Sequence, residues 1–133
     1  MKPDPAREYL SQLGASESVI KGGLEGLVES WERVIDEVAK GYRLDLDSYL
    51  NDLDLRQLIE DLLTVTEAND TALLSERIAQ ADRQMKALVK PAGRCLWGDQ
   101  VALEAGWTAE QNWWYFSRPI TAGRELLDDL EKG

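Results

Sequence analysis

"ESVIKGGLEGLVESWERVIDEVAKG", residues 17–41, decides the fold class. Val19, Ile20, Leu24, Leu27, Val28, Trp31, Val34, Ile35 and Val38 recur at steps of three and four, and charged residues take the opposite side. That period predicts one amphipathic helix from about residue 17 to 40, stopped by Gly41. Gly22, Gly23 and Gly26 weaken it by up to about 1 kcal/mol each relative to alanine, so something must offset them. Close approach of a neighbouring helix is the simpler expectation; a ligand or partner backbone lying in the groove is the sharper one.

The same period extends along the chain. In "YRLDLDSYLNDLDLRQLIEDLLTV" a brief Leu/Asp alternation gives way to helical spacing, which predicts a short helix from about 47 and a longer one over about 55–66. Asp54 followed by Gln57 resembles a capping box at the start of the longer one. Leu74, Ile78, Ala81, Met85 and Leu88 form a narrow seam on a further helix, closed by Pro91 and Gly93. Short terminal helices would bury Tyr9, Leu10 and Leu13 at one end and Leu126, Leu127 and Leu130 at the other. The expectation is an all-α protein: a single domain over residues 1–133, a compact helical bundle of about four main helices plus short helices.

Composition narrows the function classes. The 133 residues carry 25 acidic and 15 basic side chains, for a net charge of −10, which repels nucleic acid and anionic membranes. With 44% hydrophobic residues the chain can bury a core. Cys95 is the lone cysteine, so no internal disulfide or cysteine metal cluster can form. "MKPDPAREYL" lacks the apolar core of a signal peptide and no run is long enough to span a bilayer, which predicts a cytoplasmic protein without a membrane partner.

The absence of histidine removes the commonest general base and the usual partner of a serine or cysteine nucleophile. Carboxylates remain. Glu29 and Glu32 in "ESWE", with Asp36 one turn on, are similar to the paired acidic motifs of all-α nucleotide pyrophosphohydrolases. That resemblance implies Mg2+ held by Glu29, Glu32 and Asp36. Read as residues alone, they border an apolar stripe, and Glu29–Arg33 and Asp36–Lys40 are spaced for surface ion pairs. On that reading no cofactor is expected.

The remaining segment, "CLWGDQVALEAGWTAEQNWWYFSRP" (95–119), holds four of the five tryptophans. Asp99 and Gly106 bound one predicted helix, and Thr108 with Gln111 begins a second, a C-terminal helix-turn-helix-like corner. Ala102, Gly106 and Thr108 resemble the pattern of DNA-binding helix-turn-helix units. Asn112 stands where such a unit buries an aliphatic side chain, and Asp99, Glu104 and Glu110 outnumber Arg118, which disfavours nucleic acid. On a helix, Trp113, Trp114, Tyr115 and Phe116 point about 100° apart. Trp97, Trp107, Trp113 and Phe116 are the expected core rings, leaving Trp114 and Tyr115, with Arg118 and Glu110, as an exposed partner-binding patch.

Together these readings predict a non-catalytic protein–protein interaction module that binds another protein or itself. Small acidic immunity proteins and antitoxins share its composition and class. A magnesium-dependent hydrolase and a helix-turn-helix regulator are the alternatives.

Overall fold

Helix dominates the computed structural model, which describes residues 5–66 and 68–132. The elements are α1 (Pro5–Gln12), α2 (Glu17–Ala39), α3 (Leu46–Val65), α4 (Ala68–Leu88), β1 (Val89–Pro91), α5 (Asp99–Ala105), a 3-10 turn (Trp113–Phe116), β2 (Ser117–Pro119) and α6 (Arg124–Lys132). The all-α expectation holds, with one small antiparallel ribbon added to it.

α2 is the spine because its apolar stripe is the longest. Leu24, Leu27, Val28, Trp31, Val34, Ile35 and Val38 are all buried, against α4, α1 and α3. The predicted seam on α4 is real: Ile78, Ala81 and Met85 are buried and Leu74 and Leu88 half-buried. It is consumed inside the chain, so it is not available as a surface for self-association.

The two helices predicted between 47 and 66 are one. α3 runs unbroken, and its N-cap is Asp45, whose carboxylate accepts from the Ser48 N–H at 3.0 Å. Asp54 and Gln57 lie mid-helix with their side chains turned to other work, so the capping reading there was wrong. α6 packs on α3 through Leu126 and Leu130, and Asp129 accepts from the Leu46 N–H at 3.1 Å. Leu13, expected to be buried after α1, is exposed, whereas Leu10 is fully buried.

β1 pairs with β2, Val89 opposite Pro119, Lys90 opposite Arg118 and Pro91 opposite Ser117. No alternation announced so short a ribbon. Its effect is to return the chain from the end of α4, so that residues 92–116 form a closed excursion over the middle of α3, at Asp54, Arg56 and Gln57. Gly106 ends α5 in the left-handed region at φ 76°, as expected.

The second helix of the corner is absent. The Thr108 hydroxyl does accept from the Gln111 N–H at 3.1 Å, yet that cap opens only a single turn. Asn112 then takes over. Its amide accepts from the Thr108 N–H at 3.1 Å and donates to Gln57 on α3 at 2.8 Å while buried in the core. The very residue that departs from the helix-turn-helix pattern holds the chain in a turn, so no recognition helix follows Gly106.

Candidate functional site

The C-terminal corner is full. Trp114 and Tyr115, expected at the surface, are each only 1% exposed. A four-residue 3-10 turn replaces the α-helix, so the angles that put Trp113 and Phe116 inward do not apply. Those two rings, and Trp107, are half-buried, and Trp97 is 37% exposed. Of the remaining patch residues, Glu110 is exposed in the turn and Arg118 is half-buried on β2. The four do not make a common apolar surface.

What buries Trp114 and Tyr115 is a polar network along α3. Arg56, 6% exposed, grips Asp82 of α4 with Nε at 3.0 Å and Nη2 at 2.9 Å, and reaches Glu60 with Nη1 at 2.9 Å. The Trp31 indole donates to the same Asp82 at 3.1 Å. Arg56 also lies over the Trp114 ring, 4.4 Å from its centre, where the ring quadrupole attracts the cation. A buried guanidinium left unpaired would be strongly destabilising, so two carboxylates and a ring face satisfy one cation.

Two residues before Arg56 on α3, Asp54 accepts from the Tyr115 hydroxyl and from the Trp97 indole. Burial first, and then the hydrogen bond to Asp54, push the Tyr115 phenol well above its ordinary pKa, so it stays a donor. Trp107 stacks on Tyr115 at 4.1 Å between ring centres. Spacing alone could not announce this network, because its partners lie on three helices and a loop. The available signal was Asp54, Arg56 and Glu60 among the leucines of α3. The groups of this network pair with one another across the fold, while the Trp114 indole nitrogen is buried without a partner.

The open surface lies elsewhere, on α2. Gly22, Gly26 and Ser30 follow one another at steps of four along one face, beside a cleft of about 270 Å³ lined also by Ser18, Val19, Leu27, Glu29 and Arg33. A methyl group built on Gly22 or Gly26 would meet nothing within 4 Å among the described residues. Among the described residues no neighbouring helix therefore approaches Gly22 or Gly26, and the simpler expectation fails for these two; of the three, Gly23 alone lies against a neighbour, the Arg7 side chain of α1. Gly123 is the contrasting case: a methyl there would sit 2.9 Å from the Tyr42 carbonyl oxygen and 3.2 Å from the Arg43 Cα. The Ser30 hydroxyl donates to the Gly26 carbonyl at 3.1 Å and accepts from Arg33 at 3.0 Å, closing the lower end of the cleft.

The three carboxylates considered for magnesium have different surroundings. Glu29 is exposed on the cleft wall; Glu32 is gripped by Arg77 of α4, with Nε at 3.0 Å; Asp36 pairs with Lys40 at 2.9 Å. Among the described residues no group of three histidine, cysteine, aspartate or glutamate side chains is placed to hold a metal ion. Likewise no helix among them is long and apolar enough to cross a membrane. Compared with protein-family models, with curated proteins and with solved structures, the chain finds no match in any of the three.

Proposed function

We propose that the protein is a non-catalytic interaction module whose docking surface is the Gly22–Gly26–Ser30 face of α2, and that it takes a basic helical segment of another protein. The observation that carries this reading is the open floor of the cleft. Two glycines inside a helix cost up to about 1 kcal/mol each, and among the described residues nothing stands where their side chains would be. A side chain or backbone ridge of a partner fits there, because glycine permits close approach.

Charge selects the kind of partner. α2 carries six acidic side chains (Glu17, Glu25, Glu29, Glu32, Asp36 and Glu37) against Lys21 and Arg33, and all six but Glu32 are exposed. With the whole chain at −10, a basic segment is steered toward this face. The cleft, at about 270 Å³, falls just short of the roughly 300–1,000 Å³ of pockets that enclose drug-sized ligands, which favours one or two partner side chains over a nucleotide. An immunity- or antitoxin-like role, neutralising a basic protein, is the version of this reading that the charge supports. The hydrolase reading is weakened by the ion pairs that occupy Glu32 and Asp36.

Gly26→Leu tests it, since the leucine fills the cleft without disturbing the core. The expected result is that a basic protein captured from the native cells by the wild-type chain is released by added salt and is no longer captured by the variant. Capture unchanged by Gly26→Leu, or confined to acidic proteins, would sink the proposal. A concentration-dependent dimer lost in the variant would assign the face to a second copy instead.

A further inference from the structure

The strand ribbon is a basic island on an acidic chain. Residues 83–98 carry Arg83, Lys86, Lys90 and Arg94, residues 111–124 carry Arg118 and Arg124, and neither stretch contains an aspartate or a glutamate. The register of the ribbon joins the two stretches, because Lys90 on β1 stands directly opposite Arg118 on β2. Residues so paired leave a ribbon on the same face, and like charges there destabilise it. Val89, half-buried, and Pro119, buried, take the other face, so the two cations share the outer one. Lys86, in the last turn of α4, holds its ammonium 5.1 Å from the centre of the Trp113 ring, on the 3-10 turn that leads into β2. A third cation is thus fixed beside the ribbon by a ring face and not by a carboxylate.

Arg118 is the odd one among the buried or half-buried arginines. Its Nε is enclosed while Nη1 and Nη2 reach the surface, and among the described residues none of the three finds an acceptor. Arg56 shows how this fold treats a guanidinium that serves packing: Asp82, Glu60 and the Trp114 ring all meet it. Arg94, close by in sequence to Lys90, donates to the Leu130 carbonyl at 3.2 Å. A partly desolvated donor with no acceptor costs stability, and the Lys90 ammonium opposite adds repulsion. An anion arriving from outside would remove both penalties at once.

We propose that Arg118 and Lys90, with Lys86 beside them, bind the phosphoryl group of a small molecule. The planar fork of Arg118 matches two oxygens of a tetrahedral oxyanion, and each lysine adds a point charge. Three cations balance a phosphoryl dianion, whereas a lone carboxylate would leave most of the repulsion in place. An extended polyanion fits poorly, because the chain as a whole stands at −10 and Asp99, Glu104 and Glu110 lie on the excursion between the two strands. Lys86 covers a face of Trp113, so that ring positions the ammonium and is not left open to stack a base. The site stands on α4 and the ribbon and does not rest on the function proposed for the α2 cleft.

Thermal melting and amide NMR shifts of the full chain test it, with inorganic phosphate or phenyl phosphate compared with sodium chloride at equal ionic strength. For the wild type, either phosphate at ten times its Kd should raise the melting temperature by about 3–7 °C and move the amide signals of Lys90 and Arg118. Arg118→Met keeps the aliphatic stem and removes the fork. Without phosphate it should melt at or above the wild type, where loss of a structural arginine would lower the melt, and its phosphate affinity should fall roughly ten- to hundred-fold. Lys90→Gln should weaken binding about two- to fivefold. A wild-type response no larger than that to chloride, or one that Arg118→Met keeps in full, overturns the site. A phosphoserine peptide or a single-stranded RNA that binds where inorganic phosphate and phenyl phosphate do not overturns the small-molecule assignment.

Discussion

The C-terminal corner and the outer face of α2 invert what their compositions suggest. The corner, crowded with tryptophan, has the make-up of an adhesive surface, yet Trp114 and Tyr115 are enclosed by Arg56, Asp54 and Trp107. The α2 face, with glycines at steps of four, has the make-up of a tight helix contact, yet it opens to solvent. Aromatic residues measure how much surface a chain has available to bury. Where that surface goes is set by which polar groups need partners, and on this molecule α3 supplies them.

The largest expected effect breaks the closed half of that contrast. Arg56→Ala removes the cation that Asp82 and Glu60 surround and the guanidinium over Trp114, leaving a carboxylate buried with only an indole donor. Denaturant unfolding should show a loss of about 3–5 kcal/mol, the usual consequence of breaking a buried pair from one side. A loss below about 1 kcal/mol, the scale of an exposed pair, would mean the network contributes little to closing the corner.

A glycine pair sharpens the contrast with opposite signs. Gly123→Ala forces a methyl against the Tyr42 carbonyl oxygen and the Arg43 backbone, and should cost about 1–3 kcal/mol. Gly26→Ala adds a methyl in open space inside a helix and should stabilise by about 0.5–1 kcal/mol. Thermal melts of the two variants beside the wild type settle it. If both fall, the α2 face is packed in solution and is not open.

The smallest effect concerns pH. Asp52, beside the core of α3, accepts from the Tyr42 hydroxyl. Burial raises its carboxyl pKa, the Tyr42 hydrogen bond lowers it by less, and Glu37 adds repulsion, for a net upward shift. A carboxyl raised in the fold binds its proton more tightly than in the unfolded chain. Its contribution is therefore fully present below the unfolded value of about 3.9 and is lost as pH climbs through the folded one. Asp52→Asn, which can still accept from Tyr42, should gain stability over the wild type at neutral pH, and the gap should close as pH falls toward about 4. Parallel pH profiles for the two proteins would show that Asp52 carries no such penalty.

Helix positions were legible because they depend on spacing within one segment. α2 and the α4 seam emerge from steps of three and four, and Gly106 is visible as a stop because the left-handed conformation favours glycine. Longer-range features were hidden for a matching reason. Asp54 and Gln57 carry the residue types of a cap, and nothing local says that they reach instead toward Trp97, Tyr115 and Asn112, some forty to sixty residues away. The turn at Asn112 and the ribbon of three-residue strands are likewise made by partners distant in sequence. Glycine poses the hardest case: whether Gly26 admits a neighbour or leaves a gap depends wholly on what the rest of the chain places beside it.

The ribbon has one further consequence, for behaviour at high concentration. Two short strands leave two outer edges, and an unprotected edge invites the backbone of another molecule to add on and seed aggregates. In this register Ile120 donates to Leu88 and Ala92 to Phe116, so the inward-bonding positions are the even-numbered ones. Pro91 and Pro119 therefore fall on the odd, outward-facing positions. Each strand thus places a residue with no N–H where an incoming strand would look for one, and neither edge offers a continuous template for cross-β growth.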